Sequence, residues 1–256
     1  MLILLSPAKK LSCHGIDGRF PITEPMFGEE AEYLSSKLKK KGVRALKEMM
    51  GISDDLAQLN QERYQHWQMP HPKNESTQAA LMFQGDVYQG LQADGFSNDE
   101  MDYAQAHIRI LSGLYGLLRP LDQVMPYRLE MGSRFKVTPK KTDLYKYWGT
   151  HITEALKREA EQMDSGVILD LASKEYSKAA RPERTGLRVI HVDFKEGNGD
   201  SYRMVSFFAK KARGMMARFA AEHQVTDVEQ MKAFDTEGYL FRKEMSSDDR
   251  WVFTRG

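Results

Sequence analysis

The 256-residue chain is 41% hydrophobic and 29% charged, with 12 Phe, 11 Tyr and 3 Trp, which supplies a substantial core and excludes a disordered chain. Its 37 basic and 36 acidic residues leave a net charge of +1, which excludes a generic polycation that coats nucleic acid; any anion-binding role must come from local segregation of charge. Cys13 is the only cysteine, so an internal disulfide framework is excluded and a reducing compartment is the natural setting.

The first residues, Met1-Leu-Ile-Leu-Leu-Ser-Pro7, lack a basic start and give only a short apolar run. They match neither a secretory signal nor a membrane span of ~20 apolar residues. The expected location is the cytoplasm, without membrane contact. Residues 2–5 read as a buried strand ended by Ser6-Pro7. Helical spacing follows over 29–41, with Ala31, Leu34 and Leu38 on one face, and over 43–50, stopped by Gly51. A third helix is expected from the Ser53 cap to about Trp67. Ser76 is a candidate cap for a further helix, and Asn98 for one carrying Met101, Ala104, Ile108 and Leu111. Residues 112–132 read as an ordered loop with short pieces of structure, and Thr142 as the cap of a long helix over 143–162. Strands are expected over 167–171, 188–194 and 202–208, the last two joined at Gly197-Asn-Gly199. A helix over 209–223, another capped by Thr226, and a hairpin of Tyr239-Leu-Phe241 with Trp251-Val-Phe253 complete the chain. With no repeat, low-complexity tract or linker, the expectation is one α/β (or α+β) domain over 1–256, a mixed sheet surrounded by helices.

Met49-Met-Gly-Ile-Ser-Asp-Asp-Leu-Ala57 is similar to the centre of a helix-hairpin-helix spanning about residues 43–67. Such a motif joins two helices at a Gly-apolar-Gly turn, because glycine lets the backbone bend sharply and approach a phosphate. The second helix then offers free N–H groups at a positive dipole end. Gly51 and Ile52 fit; Ser53 replaces the second glycine, and Asp54 and Asp55 suit the dipole better than they suit a phosphate. The same residues read as an ordinary helix–turn–helix corner with a serine cap.

A basic helix carries Lys210, Lys211, Arg213 and Arg218. Lys211 and Arg218 share a face and Lys210 and Arg213 flank it, as on a phosphate-facing helix or a solvated surface with snorkelling lysines. Lys9, Lys10, Arg109, Arg119, Arg128, Arg134, Lys174, Lys178 and Arg181 add cations, several in Gly/Pro-bounded loops where binding residues tend to sit. Ser6-Pro-Ala-Lys9 has the Ser-x-x-Lys spacing of acyl-transferring serine enzymes. That chemistry needs both groups on one helical turn, which Pro7 directly after a strand opposes, and the companion Ser-Asp-Asn and Lys-Thr-Gly motifs are missing. There is no Gly-x-Gly-x-x-Gly, no Walker sequence and no His-Glu-x-x-His spacing. Neither a cofactor nor a metal is expected, and no established catalytic motif marks an enzyme.

Seven strings carry a resemblance that runs nearly end to end. They are Leu2-Ile-Leu-Leu-Ser-Pro-Ala-Lys9; Phe83-Gln-Gly-Asp-Val-Tyr88; Leu111-Ser-Gly-Leu-Tyr-Gly-Leu-Leu-Arg-Pro-Leu-Asp122; Pro126-Tyr-Arg-Leu-Glu-Met-Gly132; Leu144-Tyr145 with Trp148-Gly149; Leu171-Ala-Ser-Lys-Glu-Tyr176; and Ser206-Phe-Phe-Ala-Lys-Lys-Ala-Arg-Gly214. In this order they resemble the YaaA peroxide-stress family. The resemblance implies an unusual single-domain α/β fold with a positively charged cleft and a helix-hairpin-helix. It also implies binding of double-stranded DNA, including bent or branched forms, and protection against hydrogen peroxide by limiting iron-dependent damage.

The leading expectation is therefore a monomeric, DNA-binding stress protein. Its phosphate contacts would come from Gly51, Ile52, Ser53, Lys9, Lys10, Arg119, Arg128, Lys174, Lys178, Lys210, Lys211, Arg213 and Arg218. The alternative is an enzyme acting on a small anionic substrate, with Ser6, Lys9, Arg128, Ser173, Glu175, Tyr176, Lys210 and Arg213 around it. There arginines would clamp the anion, and Glu175 or Tyr176 would transfer protons. Direct iron binding would need carboxylates and histidines to converge, which their order along the chain does not suggest.

Overall fold

The computed structural model describes residues 1–16, 18–198 and 201–256. The opening apolar run is β1 (Leu2–Leu5), buried at every position. After β2 (Lys10–Leu11), the amphipathic α1 (Gly28–Lys39) buries Ala31, Leu34 and Leu38. α2 (Val43–Met50) ends at Gly51 in the left-handed conformation, and α3 (Asp54–His66) starts at Ser53, whose Oγ accepts from the Leu56 amide at 3.4 Å. β3 (Thr77–Gln78), α4 (Ala79–Met82), β4 (Phe83–Gln84) and α5 (Asp86–Leu91) follow in close order. Ser76 caps no helix: its hydroxyl donates to the Pro72 carbonyl at 2.5 Å, and α4 starts three residues later.

α6 (Asn98–His107) opens with a capping box of Ser97 and Glu100, so the cap is one residue earlier than the sequence suggests. The helix also ends sooner. Ile108 and Leu111 belong to β5 (Ile108–Ser112), buried at all five positions; a run that is apolar on both sides serves the interior of a parallel sheet better than one face of a helix. The 112–132 stretch holds β6 (Gly116–Leu118) and β7 (Gln123–Val124). The single helix expected over 143–162 is two, α7 (Leu144–Trp148), capped by Asp143 rather than Thr142, and α8 (His151–Gln162). Gly149, at φ 52°, takes the chain out of helical geometry between them.

The remaining elements are β8 (Val167–Asp170), α9 (Lys174–Ala180), β9 (Arg188–Asn198), β10 (Ser201–Arg203), α10 (Ser206–Glu222), β11 (Leu240–Phe241) and β12 (Arg250–Arg255). The strand expected over 202–208 stops at Arg203, and Phe207 and Phe208 open α10. The Gly197-Asn-Gly199 turn lies partly outside the described residues. Asp227, not Thr226, caps the 3-10 helix Val228–Ala233.

Among the described residues, eight strands form one mixed sheet in the order β11-β12-β9-β8-β1-β5-β6, with β10 also on β9. The five central strands, β12 to β5, are all parallel; β6, β10 and β11 are antiparallel additions. The expected hairpin pairing is present as β11 on β12, with Phe241 opposite Phe253. The order of the parallel strands is that of a doubly wound α/β sheet. From β1 the chain crosses to β5 on one side, then returns past β1 to β8 and continues outward. The strand order thus reverses between β1 and β8, and the crevice at their carboxyl ends is where such sheets bind ligands.

Candidate functional site

A cavity of about 480 Å³ opens at that crevice. Ser6, Pro7, Ala8 and Lys9 reach it from the end of β1, with Lys10 from β2. Ser173, Glu175 and Tyr176 reach it from the end of β8 and the start of α9. The two rims are tied together, since the Ser173 amide donates to Ser6 Oγ at 2.8 Å. Pairing of β2 with β4 (Lys10 opposite Gln84) carries Gln84, Gly85 and Asp86 over the opening. The segment Tyr127-Arg-Leu-Glu130 forms a further wall, held by Tyr127 Oη against Ser112 Oγ at 2.6 Å and by Tyr64 Oη on the Arg128 carbonyl at 2.7 Å.

The last wall is α10, which brings Lys210 and Arg213, and a glycine contact puts it there. A Cβ on Gly214 would lie 1.7 Å from the Val87 carbonyl oxygen, and one on Gly90 would lie 2.1 Å from that of Lys211. α10 and α5 therefore cross backbone against backbone, a closeness only glycine permits. Lys210 Nζ lies 3.6 Å from Asp86 as a result.

Five cations (Lys9, Lys10, Arg128, Lys210, Arg213) face three carboxylates (Asp86, Glu130, Glu175) around the cavity. Glu175 is engaged from behind by the Gly132 amide at 2.7 Å. Glu130 Oε1 lies 3.0 Å from Arg128 Nη2 and 3.7 Å from Lys9 Nζ. Both of its oxygens nevertheless lack a hydrogen-bond partner, because the contacts are charge proximity outside hydrogen-bonding geometry. Arg128 Nε and Arg213 Nε are also buried without a partner. Burial draws the Arg213 guanidinium below its ordinary pKa, opposed by the charges of Asp170 and Asp193. Burial likewise pushes Tyr127 and Tyr176 up, so their hydroxyls remain neutral donors at pH 7.

Behind the cavity, Asp170 at the end of β8 accepts from the Ala172 amide at 2.9 Å and from Ser177 Oγ at 2.5 Å. Its Oδ2 also lies 3.2 Å from His191 Nδ1, and His191 Nε2 lies 3.2 Å from Glu183. The hydrogen bond to Asp170 raises the His191 pKa, burial opposes it, and the Asp170 and Glu183 charges add to the rise. Among the described residues no group of His, Cys, Asp and Glu is arranged to hold a metal ion, and no helix is long and apolar enough to cross a membrane.

All eight residues named for a small-anion pocket (Ser6, Lys9, Arg128, Ser173, Glu175, Tyr176, Lys210 and Arg213) line this one cavity, with Lys10 beside them. The other cations named for DNA lie elsewhere, most with partners of their own. Lys211 is ion-paired with Glu237; Arg218 bonds Glu222 at 2.6 Å and Arg119 bonds Asp122 at 3.0 Å. Lys178 sits over the Tyr145 ring at 4.7 Å, and Lys174 is exposed on α9. Gly51, Ile52 and Ser53 form the α2–α3 corner, where Lys47 is paired with Asp54 at 2.7 Å. Sequence reasoning missed Gln84, Asp86, Tyr127 and Glu130 as lining residues. The signal was available, since all four stand inside strings that carry the family resemblance.

A family model described as "Peroxide stress protein YaaA" matches residues 1–245. The chain belongs to that family. It is similar to UPF0246 proteins from Ralstonia pickettii and Ralstonia nicotianae, each 46% identical over 255 residues, and to one from Teredinibacter turnerae at 44%. Each alignment covers 100% of this chain and 99% of the relative. Family membership thus rests on the whole length, cavity-lining strings included.

Proposed function

We propose that this peroxide-stress family member holds a small anionic substrate in the cavity between β1 and β8, with Arg128 and Arg213 as its clamp. The observation that carries this reading is the pair of buried guanidinium Nε atoms without hydrogen-bond partners. A buried donor left unmade costs ~1–3 kcal/mol, and both arginines line the cavity, so an oxyanion bound there would compensate their poorly satisfied guanidinium charges. A volume of about 480 Å³ suits a small molecule. The strand-order reversal supplies the same location by an independent route. Around the bound anion, Glu130 offers a carboxylate with no hydrogen-bond donor, Glu175 is the group for proton transfer, and Tyr176 is a neutral hydrogen-bond donor. Calorimetric titration with inorganic pyrophosphate tests the reading. One saturable site is expected, weakened at least tenfold by Arg128→Ala or Arg213→Ala; no binding by the unaltered protein refutes it.

A second reading is favoured by the α2–α3 corner. A Cβ on Gly51 would meet nothing within 4 Å, so this turn is open for close approach by a phosphate. On this reading the monomeric, cytoplasmic protein binds double-stranded DNA, bent or branched, through its phosphates and limits iron-dependent damage to it. The corner, the rim lysines Lys9 and Lys10, and the α10 cations Lys210, Lys211 and Arg213 would share the backbone contacts. If about five phosphates are neutralised, log affinity should fall with log salt at a slope of roughly −4 to −5. A flat salt dependence for both duplex and junction rejects it.

A further inference from the structure

A buried aromatic cluster runs from the cavity wall into the molecule. Tyr127, which lines the cavity, has its ring 5.3 Å from that of Tyr115 and nearly perpendicular to it. The Tyr115 ring is in turn 6.1 Å from Trp67 and 5.8 Å from His71. Tyr115 has no exposed surface, and Trp67 and His71 are buried beside it. Tyrosine and tryptophan are aromatic side chains that can yield an electron, whereas phenylalanine does not, so this cluster can carry charge where a phenylalanine core cannot.

Hydrogen bonding fixes where each proton sits. Tyr115 Oη accepts from Trp67 Nε1 at 3.0 Å and from the Met125 amide at 3.2 Å, which fills both lone pairs of a phenol oxygen. Its own proton is therefore donated to His71 Nε2 at 3.0 Å, and that nitrogen is a bare acceptor. His71 Nδ1 carries the imidazole proton, because it faces the Gln68 carbonyl at 2.6 Å. Burial lowers the His71 pKa and so favours this neutral form. Tyr127 is bonded differently. Ser112 Oγ accepts from the Leu114 and Tyr115 amides at 3.2 and 2.9 Å, so its hydroxyl donates to Tyr127 Oη at 2.6 Å. No acceptor for the Tyr127 proton appears among the described residues. Tyr239 also donates to a base, Glu196, but Arg255 binds that carboxylate and the ring is set against Phe194 and Phe234.

We propose that Tyr115 and His71 are a redox centre, which takes an oxidising equivalent from the cavity wall through Tyr127 and holds it as a phenoxyl radical. The oxidant is a small one-electron oxidising radical, of the kind peroxides release, entering the cavity. It takes one electron from Tyr127 and is reduced to an anion. Tyr127 cannot pass its proton to Ser112, and it is refilled by one electron from Tyr115. The Tyr115 O–H bond then breaks and its proton moves to His71 Nε2. This gives an imidazolium whose Nδ1–H stays on the Gln68 carbonyl, and a neutral radical on Tyr115 that still accepts from Trp67 and Met125. Without that base the charge would stay on a buried ring, where it is costly. A small thiol or ascorbate returns the electron, and His71 returns the proton. Disposal of oxidising equivalents suits a family described by peroxide stress.

The test is oxidation of the intact protein by azidyl radicals made by pulse radiolysis, read by the phenoxyl absorption band and by electron paramagnetic resonance. A tyrosyl radical is expected that outlives those on the exposed Tyr33 and Tyr202 at least tenfold. Tyr115→Phe is expected to remove it. His71→Asn keeps an acceptor but not a base, and is expected to shorten its lifetime at least tenfold. Tyr127→Phe is expected to cut its yield at least threefold. A long-lived radical that survives in Tyr115→Phe overturns the inference, as does a lifetime unchanged by His71→Asn or a yield unchanged by Tyr127→Phe. Should Tyr115→Phe not fold, the unaltered protein decides. Its radical is expected to show hyperfine couplings to protons donated to the phenoxyl oxygen, lost when the protein is refolded in heavy water, and a radical without such couplings overturns the inference.

Discussion

The cavity between β1 and β8 and the corner between α2 and α3 are built from the same residue types, yet their charges are in opposite physical states. At the corner, Lys47 meets Asp54 at 2.7 Å and Arg44 meets Glu48 at 3.0 Å, all four side chains in contact with water. Exposed pairs of this kind contribute ~0–1 kcal/mol and leave little unmet demand for an anion. In the cavity, Arg128 and Arg213 each keep a buried nitrogen without a partner, and the Glu130 carboxylate accepts no hydrogen bond. A cation count along the chain treats the two regions alike. Burial and hydrogen bonding separate them, and a desolvated guanidinium with a donor left unmet gains most from a ligand, even where, as at Arg128, a carboxylate lies 3.0 Å away.

The largest effect expected from breaking this contrast is at the helix crossing. Gly214→Ala sets a methyl 1.7 Å from the Val87 carbonyl oxygen. It should cost about 3 kcal/mol in urea denaturation and move Lys210 and Arg213 off the cavity, so pyrophosphate binding should fall with stability. Arg213→Met should separate those two outcomes. Anion affinity should drop at least tenfold while the melting temperature does not fall, because a buried cation without full pairing is replaced by an apolar chain of similar length. Ser53→Ala should do the reverse at the corner. Loss of the cap is expected to cost ~1 kcal/mol of stability with anion affinity unchanged.

The smallest effect concerns pH. His191 has a raised folded-state pKa from its bond to Asp170. Its contribution to stability is therefore complete below the unfolded value of about 6.5 and is lost as pH rises through the folded value. In His191→Asn that part of the melting-temperature profile should flatten. A profile identical to that of the unaltered protein would show that the Asp170 pairing does not couple to folding.

Much of this was legible in the sequence, for identifiable reasons. Residues 2–5 and 167–171 read as strands because parallel strands at the centre of a sheet are apolar on both faces, and both are in the core. The eight small-anion candidates come together because each stands just after a strand or on the helix packed against that crevice. Periodicity failed where tertiary structure overrode local pattern. Ile108 and Leu111 continue the helical spacing of 98–107, yet the demand for a strand beside β1 converts them to β5. The carboxylates Asp86 and Glu130 were missed because attention to cations does not find the acids set among them. The parallel pairing of β12 with β9, between residues some 60 positions apart, leaves no local signal at all.

Both regions can be interrogated in one crystal. Tungstate has the charge and tetrahedral shape of phosphate and scatters strongly enough to be located directly by anomalous diffraction. The account places the bound ion in the cavity, within hydrogen-bonding distance of Arg128 and Arg213. An ion at the amides of Gly51, Ile52 and Ser53, with the cavity empty, would contradict it.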